Sequence, residues 1–246
     1  MTVSQRRDGS PSPGTDPTAL VDWAVVTRRL EGEQVCGDLS LVQVEGERAL
    51  VAVVDGLGHG IEAARAAELA LHVVRRHAGD DVLSLFEHCH EALADTRGVV
   101  MSIAVFDGRE HTLTWAGVGD VEGVLLGIDP RAADEPEYLL RRAGVVGSPE
   151  DLRVRADILR LTPGATLVLA TDGVRSGFER GVVLRDSPAQ IAEQLMAEHA
   201  SKLDDSLVLV ARYLGLGDLT PAANANLARV PRGPRGPRGS EKDDER

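Results

Sequence analysis

Runs of apolar residues predict a chain built mainly from β-strands. Residues 48–56 and 165–173 are continuous apolar stretches, and each of them ends in Asp-Gly. Stretches of this kind are typical of strands that are buried on both faces. Less regular stretches predict further strands at residues 21–30, 38–46, 98–108, 111–120, 121–129, 137–143, 153–161 and 204–214. We therefore expect roughly eight to ten strands, most of them joined as a meander.

Two local patterns add detail to these strands. Within residues 38–46 the apolar positions change parity between Leu41 and Val42, and this slip indicates a β-bulge. Residues 107–110 read Asp-Gly-Arg-Glu between two strand-like stretches, which predicts a β-hairpin at this point.

Helical spacing is confined to three segments. Residues 60–77 have apolar positions at helical intervals and basic residues in the last turns, and residues 81–95 have a second amphipathic pattern. Residues 187–201 open with Ser-Pro, a typical helix start. Because the helices come in blocks and do not alternate one for one with the strands, the order favours an α+β layered fold over a doubly wound parallel sheet.

Both ends of the chain differ in composition from the periodic centre. Residues 1–20 are polar and rich in Pro, Gly and Ser, and residues 216–246 form a Pro/Gly/Arg-rich tail. We expect both segments to be disordered and residues 21–215 to form one domain. The tail is interpreted as a solvated segment, with a weak basic docking motif as the alternative.

The charge of the chain narrows the classes of function. There are 39 acidic and 27 basic residues, and the formal net charge is −12. This balance argues against a nucleic-acid groove, which needs clustered Lys and Arg, and against docking on an anionic membrane. A phosphorylated substrate stays possible if a metal supplies the positive charge.

The number of cysteines and the lengths of the apolar runs indicate the cellular compartment of the protein. The chain has only Cys36 and Cys89, which form no C-x-x-C motif and no disulfide framework. No apolar run reaches the roughly 18–20 residues of a membrane span, and the first residues lack the apolar core of a signal peptide. We therefore expect a cytoplasmic protein with reduced thiols and no membrane association.

Aspartates stand at the ends of several predicted strands. They are Asp38, Asp55, Asp120, Asp172 and Asp205. A carboxylate at the edge of an apolar core is usually paired or bound to a metal, and oxygen ligands of this kind suit Mg²⁺ or Mn²⁺ better than zinc. Each Asp-Gly taken alone is also a turn signal, so the spacing leaves a metal site and simple turns both open.

The aspartates belong to an ordered set of motifs. The chain carries, in this order, G-D (37–38), V-V-D-G-L-G-H-G-I-E-A-A (53–64), G-V-G-D-V-E-G (117–123), A-T-D-G-V (170–174) and D-D-S-L-V-L-V (204–210). Together they resemble the SpoIIE-like branch of the PPM family, metal-dependent serine/threonine phosphatases related to protein phosphatase 2C. The stretch W-A-G-V-G-D-V-E-G is most similar to the RsbX-like stand-alone phosphatases of bacterial stress signalling. The resemblance covers about residues 22–214 and implies a four-layer α-β-β-α sandwich with metals at one end.

The resemblance also implies a ligand set for two Mn²⁺ or Mg²⁺ ions. Asp55 would bridge the ions, and Gly56 would ligate one of them through its carbonyl. Asp172 and Asp205 would complete the shell of the second ion, and Asp38 matches an early acidic position that often acts through metal-bound water. Asp204 is interpreted as a neighbour of the ligand at Asp205.

The implied activity is direct hydrolysis of phosphoserine or phosphothreonine on a protein, without a covalent enzyme intermediate. The candidate catalytic residues are Asp55, Asp38 and His59. His59 lies three residues after Gly56 and is either a proton donor or a loop-stabilising residue. Asp120 either holds a metal-bound water or shapes its turn, and we favour the turn. The implied substrate is a phosphorylated STAS-type antagonist protein or stressosome component in a partner-switching pathway.

Two other classes of function compete with this interpretation. The D-G-L-G-H-G motif also resembles the ATP-binding box of histidine-kinase-type kinases, which hold Mg²⁺ with an asparagine upstream of the box. This chain has asparagine only at Asn224 and Asn226, in the tail, which argues against a kinase. The second alternative is a non-catalytic relative that only binds a signalling partner. Manganese-dependent phosphatase activity would distinguish it from the enzyme.

Overall fold

The structure, a computed structural model, describes residues 2–5, 19–127 and 136–216. The strands in this part are β1 (Thr2–Gln5), β2 (Val21–Arg28), β3 (Asp38–Glu45), β4 (Arg48–Gly56), β5 (Val99–Asp107), β6 (Thr112–Val118), β7 (Glu122–Leu126), β8 (Glu137–Tyr138), β9 (Asp157–Arg160), β10 (Thr166–Ala170) and β11 (Ser206–Tyr213). The α-helices are α1 (Ile61–Arg76), α2 (Val82–Ala92) and α3 (Pro188–His199), and a short 3₁₀ helix covers Phe178–Gly181.

The strands form two antiparallel sheets that face each other. The first sheet has the order β1-β2-β11-β10-β7-β8, and the second has the order β3-β4-β5-β6-β9. Helices α1 and α2 pack on the outer face of the second sheet, and α3 packs on the outer face of the first. The α+β, four-layer α-β-β-α sandwich expected from the sequence is therefore confirmed.

The continuous apolar runs are explained by burial on both faces of a strand. In β4, Val51 and Val53 lie in the core between the two sheets, whereas Leu50, Ala52 and Val54 lie in the core under α1 and α2. Successive side chains of a strand point to opposite faces, so both parities must be apolar here.

The helix starts follow from local capping. The side chain of Asp81 accepts hydrogen bonds from the backbone N–H groups of Leu83 and Ser84 at the start of α2. At the start of α3, Ser187 and Gln190 form a reciprocal capping box with a proline in the first turn. The Ser-Pro signal thus marked a helix start correctly.

The bulge expected in residues 38–46 is absent from the β3–β4 pair. The pairing runs without interruption from Glu45 opposite Arg48 to Asp38 opposite Asp55. Leu41 lies in the core under the helices, and Val42 packs against the core between the sheets. Neighbouring apolar residues therefore reflect two buried faces, and the slip in the pattern needs no extra residue.

The expected meander breaks wherever the chain changes sheet, and among the described strands this happens between β2 and β3, β6 and β7, β8 and β9, and β9 and β10. Strand β6 belongs to the second sheet and β7 to the first, so the chain crosses between sheets within residues 119–121. Gly119 has φ +90° at this crossing, where a Cβ atom would also collide with the side chain of Val100. The strand expected at 137–143 is reduced to two residues, and the strand at 153–161 to Asp157–Arg160.

The expected N-terminal boundary also differs from the structure. Residues Thr2–Gln5, placed in a disordered segment, pair antiparallel with residues of β2, because four residues with a β-compatible sequence can extend the open edge of the first sheet. Leu20 is completely buried in the core between the sheets. The rest of the predicted disordered segments, residues 6–18 and 217–246, lies outside the described residues. Among those that are described, no helix has the length and apolar character needed to span a membrane.

Candidate metal centre

Strand register brings two of the expected aspartates directly opposite each other. Asp38 is the first residue of β3 and is paired with Asp55 near the end of β4. Asp55 has the parity of Val51 and Val53, so its carboxylate points toward the space between the sheets. Directly opposite residues of antiparallel strands have Cβ atoms about 4.5–5.5 Å apart, and like charges there destabilise the pair.

Two further aspartates come from the first sheet. Asp172 lies two residues after the end of β10, and Asp204 lies two residues before the start of β11. The ends of these strands are neighbours because Ala170 pairs with Val208. Asp172 is exposed and Asp204 half-buried, so both carboxylates face the open end of the sandwich.

A threonine hydroxyl links the two sheets at this end. Thr171 is buried, and its Oγ1 donates a hydrogen bond of 2.7 Å to Oδ2 of Asp38. The same Oγ1 accepts a hydrogen bond of 2.9 Å from the backbone N–H of Leu207. Thr171 therefore holds Asp38, on the second sheet, against the β10–β11 pair of the first sheet.

Asp205 has a different set of contacts from the other aspartates. It is 2% exposed. Its Oδ1 accepts a hydrogen bond of 2.7 Å from the N–H of Leu30, and its Oδ2 accepts one of 2.6 Å from the N–H of Gly37. Both oxygens are thus engaged in fixing the loop between β2 and β3. Asp204, by contrast, is half-buried at the open end of the sandwich.

Burial and mutual repulsion raise the pKa values of several carboxyl groups in the site. Burial raises the pKa of Asp55 to about 9, with further upward contributions from Asp38, Asp172, Asp120 and Asp204. Because these charges act on one another, the four aspartates and Asp120 share one region of the molecule.

The same effect is seen at two other carboxyl groups of this region. Burial raises the pKa of Asp38 to about 7, although the hydrogen bond from Thr171 opposes the shift. The pKa of Asp172 is also raised, first by burial and then by the charges of Asp120 and Asp204. Carboxylates held near one another with raised pKa values are the donor set that hard divalent cations bind and neutralise, so the residues present fit Mg²⁺ or Mn²⁺.

Two glycines allow the loops of the site to pack backbone against backbone. A Cβ atom on Gly56 would lie 2.1 Å from the carbonyl oxygen of Ala63, at the start of α1. A Cβ atom on Gly173 would lie 1.7 Å from the carbonyl oxygen of Asp205. Any side chain at either position would therefore push apart the segments that carry the aspartates.

His59 and Asp120 lie at the edge of the site. His59 is exposed, and its Nδ1 lies 2.5 Å from Oε1 of Glu33, which ties the loop after Asp55 to the loop between β2 and β3. This contact favours the loop-stabilising role over the proton donor. Asp120 is exposed at the turn between β6 and β7, and its carbonyl accepts a hydrogen bond from Arg141.

Three residues of this region are not among the site residues expected from the sequence. They are Thr171, Asp204 and Arg97. An Nη atom of Arg97 would lie 3.0 Å from a Cβ atom at Gly58, so the guanidinium lies beside the loop that follows Asp55. Thr171 and Asp204 lie inside quoted motifs, next to the residues that were chosen. Arg97 lies in no motif, and only the fold brings it here.

Comparisons with known proteins agree with this fold and site. The chain is 27% identical over 181 residues to the phosphoserine phosphatase RsbX of Bacillus subtilis (strain 168), covering 71% of this chain and 86% of RsbX. A structure from work on the bacterial stressosome is 28% identical with a TM-score of 0.70, covering 78% of this chain and 99% of that chain. RsbX in complex with magnesium has the same fold, with a TM-score of 0.72 and 22% identity, covering 87% of this chain and 100% of RsbX.

A family model described as Stage II sporulation protein E (SpoIIE) matches residues 45–214. The chain belongs to the SpoIIE family, and with it to the PP2C-type protein serine/threonine phosphatases. The resemblance drawn from the motifs is confirmed.

Proposed function

We propose that this protein uses two divalent cations, Mg²⁺ or Mn²⁺, to hydrolyse phosphoserine or phosphothreonine on a regulatory protein. The observation that carries the proposal is the convergence of Asp38, Asp55, Asp172 and Asp204 at one end of the sandwich, where burial and the neighbouring charges raise the pKa of Asp55 to about 9. We assign Asp55, Asp172 and the carbonyl of Gly56 as ligands, as the motifs imply. We add Asp204 in place of Asp205, because both oxygens of Asp205 already accept backbone hydrogen bonds.

The residues of the site have different roles in binding the cations and in positioning Asp38. When bound, such cations neutralise phosphoryl oxygens and lower the pKa of a coordinated water. Asp55 and Asp172 hold charge at the mouth of the site, and Asp38 is kept in place by Thr171.

Arg97 supplies the basic group that a phosphate ester needs. Its guanidinium is exposed beside Gly58, in the loop that follows Asp55. Planar guanidinium groups bind phosphate oxygens in a bidentate manner, and Lys does so less specifically. We assign Arg97 to binding the phosphate before hydrolysis, so its loss would weaken substrate binding more than turnover.

We further propose that the substrate is a STAS-type antagonist or a stressosome component in a partner-switching pathway of the cytoplasm. The support is the likeness to RsbX, a phosphoserine phosphatase, and to a structure from work on the stressosome. Cys36 and Cys89 are both free thiols, which is compatible with a reducing compartment.

The test begins with hydrolysis of p-nitrophenyl phosphate and of phosphoproteins in Mn²⁺, in Mg²⁺ and in EDTA. We expect activity only with a divalent cation and its loss in Asp55→Asn. The ligand assignment is tested by Asp204→Asn and Asp205→Asn. The first should abolish activity and weaken metal binding with the fold intact, and the second should mainly lower thermal stability. An inactive wild-type protein in Mn²⁺ would leave a non-catalytic binding role instead.

The substrate class needs a separate experiment. Phosphopeptides would be compared by mass spectrometry in cells with and without the gene. Phosphoserine or phosphothreonine on a STAS-type protein should increase when the gene is absent. If no such site increases while the purified enzyme is active on other phosphoproteins, the substrate assignment is wrong and the phosphatase assignment stands.

A further inference from the structure

A second group of metal-ligating side chains lies at the junction of α1 and α2. It consists of His77 at the end of α1, Asp80 in the connecting turn and His88 in α2. Among the described residues, these three side chains place ligand atoms within 4.8 Å of one another. Nδ1 of His77 lies 3.2 Å from Oδ2 of Asp80, and Nε2 of His88 lies 3.3 Å from the same oxygen.

Both distances are at the long end of the hydrogen-bond range and close to the spacing of two ligands of one metal ion. A histidine that donates to a carboxylate usually does so at about 2.7–2.9 Å, which is shorter than either contact. Ligands at about 2.0–2.1 Å from a tetrahedral Zn²⁺ lie about 3.3–3.4 Å from one another. The two imidazole rings are also side by side, with centroids 4.3 Å apart and a tilt of 33°. Two of the three pairs of ligand atoms therefore already have the spacing found in a coordination tetrahedron.

The local structure holds Asp80 available for this role. The adjacent Asp81 is used to cap α2, where it accepts two backbone hydrogen bonds. The guanidinium of Arg48 donates to the carbonyl of Gly79 at 2.8 Å and to the carbonyl of Asp80 at 2.7 Å, which fixes the turn. His88 lies two turns into α2, and helical side chains lean toward the N-terminus of their helix, so its ring reaches back to Asp80.

The group is well separated from the aspartate centre. Helix α1 begins at Ile61, just after the loop that carries Asp55, and ends at Arg76, just before His77. Its 16 residues span about 24 Å at a rise of 1.5 Å per residue. An ion at His77 therefore cannot belong to the phosphatase centre.

We propose that His77, Asp80 and His88 bind one transition-metal ion, Zn²⁺ by the chemistry of the donors, with water in the fourth position. Imidazole nitrogen suits Zn²⁺ and Co²⁺, whereas Mg²⁺ prefers oxygen ligands, so the two centres select different metals. The ion joins the end of α1 to α2 and stabilises the helical layer on the second sheet. The half-exposed side chains, 36–45% accessible, leave the site open to metal from solvent.

The test uses cobalt as a spectroscopic probe of tag-free protein in excess Mg²⁺, which occupies the oxygen-ligand centre. We expect one equivalent of Co²⁺ to give the intense visible absorption of tetrahedral coordination, and Zn²⁺ to displace it. His77→Ala and His88→Ala should each lose this spectrum. His72→Ala, which removes an exposed histidine from the same helix, should retain it. Asp55→Asn should also retain it, so the result does not depend on the phosphatase centre.

The affinity for Zn²⁺ and the thermal stability of the protein with Zn²⁺ decide whether the proposed site exists. A dissociation constant for Zn²⁺ below about 100 μM that rises at least tenfold in both histidine variants supports the site. At a hundredfold excess over that constant, Zn²⁺ should raise the Tm of the wild type and of His72→Ala by roughly 5–10 °C. Weaker binding, or equal binding by His77→Ala and His88→Ala with native circular dichroism, would mean a hydrogen-bonded cluster only and overturn the proposal. If either His77→Ala or His88→Ala does not fold, the Zn²⁺ affinity of the other variant tests the proposal.

Discussion

Neutralising Asp55 should stabilise the metal-free protein although it destroys the metal centre. The folded protein raises the pKa of this group from its ordinary value of 3.8 to about 9. The folded state therefore binds the proton more tightly than the unfolded state, and stability falls as the pH rises from about 4 toward 9. Each pH unit in this interval costs about 1.4 kcal/mol. At pH 7 the cost reaches about 4 kcal/mol, and it is an upper bound because solvent can enter the site.

The assay is urea or thermal unfolding in EDTA between pH 5 and pH 9. We expect Asp55→Asn to have a Tm up to roughly 8–16 °C above the wild type at pH 7, and the difference to shrink at pH 5. Mn²⁺ should stabilise the wild type much more than the variant. Asp95→Asn removes an exposed acid of equal charge and should leave the Tm nearly unchanged. If Asp55→Asn is less stable than the wild type in EDTA at pH 7, the burial of a charged Asp55 does not destabilise the metal-free protein and the reasoning is wrong.

Three further changes probe the groups around the centre. Thr171→Val should cost about 1–3 kcal/mol in urea unfolding and weaken metal binding, because Asp38 and a backbone N–H lose their partner, and Thr171→Ser should restore most of both. Gly173→Ala should cost about 3 kcal/mol or prevent folding, since its Cβ would overlap a backbone carbonyl, whereas Gly79→Ala has open space and should be neutral in the same assay. Arg97→Ala should raise KM for a phosphopeptide about tenfold with a smaller effect on kcat, and equal loss in both would contradict its assignment to substrate binding.

The sequence predicted most elements of the fold because each is encoded locally. The apolar runs ending in Asp-Gly became β4 and the strand before Asp172, and Ser187 capped α3 where Ser-Pro indicated a start. Strand partners are not encoded in this way. Nothing in residues 119–121 indicates that the chain leaves one sheet for the other. The spacing of apolar residues shows which faces of a strand are buried, but it does not show which strand is its hydrogen-bonded neighbour.

The candidate site was predictable as a set of residues but not in its detailed roles. Asp38 and Asp55 were expected to meet, and their register places them opposite each other. The choice between Asp204 and Asp205 depends on two backbone N–H groups in a distant loop, which no spacing reveals. Arg97 is brought to the site only because Gly98 precedes β5, whose partner is the strand that carries Asp55.

The length of the turn between β3 and β4 sets the register of these strands, and the register determines which residues meet at the opposite end of the hairpin. The turn contains only Gly46 and Glu47, with Gly46 at φ +57°, and it sets the eight residue pairs that end with Asp38 opposite Asp55. An insertion of one residue in a surface turn is usually harmless. Here it would shift the register by one, and Asp38 would point toward the helices instead of toward its partners. The metal centre therefore requires a turn of two residues as well as the acidic residues themselves, although the turn lies about 23 Å from them.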